Sequence, residues 1–68
     1  MQTLIHVRFS PDGTVTEIGA RPQDVDAQSW FNHLTRTAGS AYQALSGGRG
    51  VFRVATRDLD GIKAAIAK

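Results

Sequence analysis

The stretch that most restricts what this chain can become is Ser10-Pro11-Asp12-Gly13, set between two runs rich in β-branched residues, Thr3 to Phe9 and Thr14 to Ile18. Proline presets φ for the first central turn position, aspartate tolerates the second, and Gly13 takes the positive φ that closes a bulged type I turn. The stretch therefore reads as a β-hairpin. A three-residue loop sets its register: Ser10 opposite Thr14, Phe9 opposite Val15, Arg8 opposite Thr16, Val7 opposite Glu17 and His6 opposite Ile18. Because side chains alternate across a sheet, Ile5, Val7, Phe9 and Val15 share one face, and Leu4, His6, Arg8, Thr16 and Ile18 share the other. The first face is the better core.

Beyond a connector, Gly19 to Gln23, Asp24 is the expected N-cap of a helix over Val25 to Ala38, with Asp26 in its first turn. Ala27, Trp30, Phe31, Leu34 and Ala38 recur at the spacing of one helix face, and Gly39 suits the position after the end. Ser40 to Leu45 reads as one more helical turn, with Ala41, Tyr42 and Leu45 inward, and Ser46 to Gly50 as a flexible loop. That loop follows a helical turn and leads into a strand, the reverse of the order that cradles phosphate, so it reads as a tight turn. Val51 to Ala55 is a third strand. Thr56 or Asp58 then caps a last helix from Leu59 through Ile62, Ala65 and Ile66, with Lys63 and Lys68 toward its C-terminal end.

The expected fold is therefore α+β in the order β-β-α-β-α. A three-stranded sheet of order 2-1-3 carries both helices on one face, and the third strand is antiparallel to the first. At 68 residues the chain has room for one domain, residues 1–68, burying roughly 60% of its unfolded surface. The expected core is Ile5, Val7, Phe9, Val15, Ala27, Trp30, Phe31, Leu34, Phe52, Val54, Ile62 and Ile66.

Several functions are disfavoured by composition. The chain has no cysteine, which removes disulfides and thiolate zinc sites. No apolar run has the length of a membrane span and no signal peptide is recognisable, so a cytoplasmic, non-membrane protein is expected. His6 and His33 are the only imidazoles, and neither has a sequence-legible nucleophile or orienting acid beside it. Glu17 and Asp12 do not form a carboxylate pair. No catalytic residue, cofactor or metal site is expected.

What remains is the uncovered sheet face, showing Leu4, His6, Arg8, Thr16, Ile18, Val51 and Arg53. Aliphatic residues among arginine and histidine suit an interface better than a plain wet surface. The expected function is a small non-enzymatic, protein-binding module of subunit, adaptor or inhibitor type, with a regulatory role. It acts through the open face or an edge of its sheet, with itself as a homodimer or with another protein. The alternative is nucleic-acid binding by an arginine cluster, Arg8, Arg49, Arg53 and Arg57, since six arginines and two lysines face six acids for a net charge of +2. Against it, no aromatic ring is expected on the open face for a base to stack on.

Overall fold

The computed structural model describes residues 1–66, and Lys68 lies outside the described residues. The elements are β1 (Gln2–Phe9), β2 (Val15–Ile18), α1 (Ala27–Ala38), a 3-10 turn (Gly39–Ala41), β3 (Tyr42–Leu45), β4 (Arg49–Ala55) and α2 (Thr56–Ile66). The protein is α+β, with a four-stranded sheet in the order β2-β1-β4-β3 and every neighbouring pair antiparallel. The expected three strands are thus corrected to four. The added one is β3, which replaces the helical turn expected over Ser40 to Leu45.

The reason for that extra strand lies in its turn and in Tyr42. Gly47 and Gly48 hold φ of +76° and +70°, two successive left-handed residues that only glycine adopts freely, and they fold β3 back on β4. Tyr42 then sits opposite Phe52, ring centroids 4.9 Å apart, and its ring lies over Gly50. A Cβ on Gly50 would stand 2.7 Å from two ring carbons of Tyr42, so the strand can dock only because that position has no side chain. Leu45, assigned inward by the helical reading, turns out to the opposite face.

The first hairpin forms, with one change. Ser10 N–H donates to Thr14 O at 2.8 Å and Phe9 pairs with Val15, as the loop predicts. Thr16 is then an extra residue in β2, so Arg8 pairs with Glu17 and Val7 with Ile18. This bulge corrects the expected register for a simple reason. Unbroken pairing would place Glu17 against Val7 on the core side and Ile18 in water; one inserted residue exchanges them.

The helix begins two residues later than expected. Val25 N–H closes a turn onto Pro22 O at 3.2 Å, and Asp26 rather than Asp24 caps α1, accepting from Ser29 N–H at 2.8 Å and from Ser29 Oγ at 3.1 Å. The Ser29 backbone bond, followed by its hydroxyl, holds the Asp26 carboxyl below its ordinary pKa. Val25 before the cap and Trp30 four positions into the helix occupy the two sites of a hydrophobic staple, and both join the core.

All twelve residues expected in the core are there, buried or packed against the buried set. Trp30, Leu34, Ile5 and Phe52 are fully buried. Trp30 donates its indole N–H to Gly19 O at 3.0 Å, which pins the residue after β2 to α1. Phe31 is the hub of an aromatic cluster, edge-on to Phe9, Phe52 and Tyr42 with centroids 5.3, 5.8 and 6.0 Å away. Leu59, Ile62 and Ile66 bring α2 against the same cluster, so both helices cover one side of the sheet and leave the other bare.

Candidate functional site on the open sheet face

The strand registers determine what the bare side carries. In rows across the sheet it shows Glu17, Arg8, Arg49 and Leu45, then His6, Val51 and Gln43, then Leu4 and Arg53. Of the residues expected there, Leu4, His6, Arg8 and Arg53 are exposed on this face. Thr16 is the exposed bulge residue at its margin, donating its hydroxyl to Arg8 O at 3.1 Å. Ile18 is turned to the helix side by the bulge and packs on the core, so the expected placement of Ile18 is corrected. Val51 is on the face yet only 3% exposed. The Arg53 guanidinium donates to Gln43 Oε1 across its diagonal.

Sequence reasoning grouped Arg49 with Arg8 and Arg53 only in the nucleic-acid alternative, and left Leu45 out of this surface. Both depend on the β3–β4 hairpin, since Arg49 was placed in a loop and Leu45 inside a helical turn. A signal for it was present in the Gly47-Gly48 pair between two runs of alternating character.

The face carries an excess of positive charge. Arg8, Arg49 and Arg53 stand on it against Glu17 alone, whereas the other five acids, Asp12, Asp24, Asp26, Asp58 and Asp60, lie in a turn, before α1 or on α2. Arg8 Nε is 3.8 Å from Glu17 Oε1, a loose pair with both side chains mostly in solvent, which contributes little. Arg49 uses only its Nε, donating to Ser46 O at 3.3 Å, and its terminal nitrogens point free of bonds within the described residues. Together His6, Arg8, Glu17, Leu45, Ser46 and Arg49 rim a shallow depression of about 480 Å³. Leu4, 51% exposed, and Leu45, 37% exposed, supply apolar surface at its flanks.

The two histidines have different places. His33 is buried between α1 and α2, stacked on Trp30 with centroids 5.9 Å apart, and its Nε2 lies 2.9 Å from Ile62 O. A carbonyl can only accept, so Nε2 carries the proton, and the ring acts as a polar tie between helices. His6 is exposed on the open face. Among the described residues no three His, Cys, Asp or Glu side chains gather as a metal would require, and no helix is long and apolar enough to cross a membrane. No family model, curated protein or solved structure matches the chain.

Proposed function

We propose that this protein is a non-enzymatic binding module whose open sheet face receives an acidic surface of a partner protein. The observation that carries this reading is the segregation of charge: three arginines and one carboxylate on a face whose opposite side is the core. Guanidinium groups bind carboxylates in a planar, two-pronged fashion. Arg8, Arg49 and Arg53 are the anchors, Leu4 and Leu45 the apolar margins, and His6 and Gln43 the polar filling between them. The face does not suit a second copy of itself, because arginines would meet arginines.

Nucleic acid is the second reading, and the same three arginines favour it. Two features weigh against it. Arg57 stands apart at the start of α2, in a separate depression with Met1, Gln2, Ala55 and Thr56, and Tyr42 is turned inward onto Phe31 and Phe52. Among the described residues His6 is then the only ring on the open face, which offers single-stranded bases little to stack on.

Amide chemical-shift mapping at low ionic strength tests the choice, with polyglutamate and a single-stranded oligonucleotide as probes. The expected result is saturable shifts with polyglutamate at Leu4, His6, Arg8, Arg49 and Arg53, and weaker ones with the oligonucleotide. Shifts confined to the helices, or none, would refute the proposal, and stronger shifts with the oligonucleotide would transfer the face to nucleic acid.

A further inference from the structure

The two edges of the sheet are treated differently, and the backbone bonds show how. Phe9 N–H donates to Gly48 O at 2.8 Å and Thr56 N–H to Met1 O at 3.1 Å, while Gly19 N–H donates to His6 O at 3.0 Å. Odd-numbered residues of β1 therefore bond toward β4 and even-numbered ones toward β2. Alternation carries this across the sheet: on β4, Gly50 and Phe52 turn to β1, and Arg49 and Val51 turn to Leu45 and Gln43 of β3. The backbone groups of Tyr42 and Ala44 are left facing the free edge. Tyr42 N–H is taken by Gly39 O. By the same alternation the Tyr42 carbonyl and both backbone groups of Ala44 turn away from β4, toward the free edge of the sheet.

On the far edge, β2 is guarded. The Thr16 bulge kinks it, and Val15 N–H is capped by Gln28 Oε1 of α1 at 2.9 Å, both recognised ways of keeping another strand off. The β3 edge, Tyr-Gln-Ala-Leu, has neither device, no charge and no proline.

We infer that the protein self-associates along β3, antiparallel about a two-fold axis at Ala44, so that two four-stranded sheets become one. Ala44 exchanges both backbone bonds with Ala44 of the second copy, and the Tyr42 carbonyl meets the region of Ser46 at either side. A second copy is the occupant that fits, because the edge is uncharged and a small methyl lies at the axis, so self-pairing sets no like charges together. It also brings Leu45 beside Gln43 of the other chain and places both arginine faces on the same side of the joined sheet. A four-residue edge falls short of the roughly 1,200 Å² of a standard stable interface, so the association is weak and reversible.

Sedimentation of the full chain from about 10 µM to about 1 mM reads this directly. The weight-average mass is expected to rise toward that of a dimer, with slowed hydrogen exchange at the Ala44 amide as concentration increases. Ala44→Pro removes an N–H that β4 does not use and is tolerated at an edge, so it is expected to keep the fold and weaken association at least about tenfold. A chain that stays monomeric at about 1 mM overturns the inference and leaves the edge to a strand of another protein. A folded Ala44→Pro variant that dimerises like the parent, or an Ala44 amide whose exchange ignores concentration, overturns it equally.

Discussion

Arg8 and Arg49 stand directly opposite each other on β1 and β4 at a non-hydrogen-bonded position of the ladder, where side chains come closest. The one ion pair among the described residues ties Arg8 to Glu17 on the other side, so the two guanidinium groups repel without a carboxylate between them. Like charges placed so are destabilising by a few tenths of a kcal/mol to about 1 kcal/mol. Arg49→Glu is therefore expected to raise stability by about 0.5–1 kcal/mol in urea unfolding at low salt, and to lose that gain at high salt. A lower midpoint for the variant at low salt would contradict this reading of the pair.

Gly50 and Tyr42 offer a second test. A methyl at position 50 would push the Tyr42 ring off Phe52 and loosen β3, as overpacking does, by about 1–3 kcal/mol. Gly50→Ala should accordingly lower the unfolding midpoint. In the Tyr42→Ala background the same change should cost much less, a coupling that a double-mutant cycle measures.

His33 ties α1 to α2 through Ile62 O while stacking on Trp30. Truncation to alanine removes a buried ring and leaves that carbonyl without its donor, an expected loss of about 2–4 kcal/mol. Hydrogen exchange of α2 amides should accelerate more than exchange of the central strands β1 and β4. Equal acceleration everywhere would mean that the ring supports the whole core rather than this one junction.

The first turn predicts a pH dependence. The Asp12 carboxylate accepts from the Ser10 hydroxyl, from Thr14 N–H at 3.0 Å and from the Thr14 hydroxyl at 2.7 Å, and these bonds lower its pKa from 3.8 to about 2. A depressed folded-state pKa means that the contribution to stability is complete above about 3.8 and disappears as pH falls toward about 2. Asp26 at the start of α1 acts with the same sign. Stability of the parent chain should thus fall through this window more steeply than that of Asp12→Asn, as read from unfolding midpoints at successive pH values.

The hairpin turn, the amphipathic helix and the core were legible because each rests on local periodicity and turn chemistry: Pro11-Asp12-Gly13 and the Trp30, Phe31, Leu34 spacing speak for themselves. What was hidden depends on contacts distant in sequence. The Thr16 bulge exists to keep Ile18 dry, and the hint was a glutamate facing Val7 on the core side of the naive register. The β3 strand was masked because Ala41, Tyr42 and Leu45 also fit one helical turn, and only Phe52 and Gly50 across the ladder decide for a strand. On the open face the places of Leu4, His6, Arg8, Val51 and Arg53 were legible, whereas Leu45, and the position of Arg49 on the sheet, came with the hidden hairpin.

The arginine face is proposed to be held ready for an acidic partner. Any ligand that binds only the folded chain raises its stability by mass action, so the decisive measurement is the urea midpoint of the parent protein at low ionic strength with and without polyglutamate. The midpoint is predicted to rise with added polyglutamate for the parent chain and to stay put for Arg49→Glu. A parent midpoint indifferent to polyglutamate, or a rise of equal size in the variant, would contradict the account.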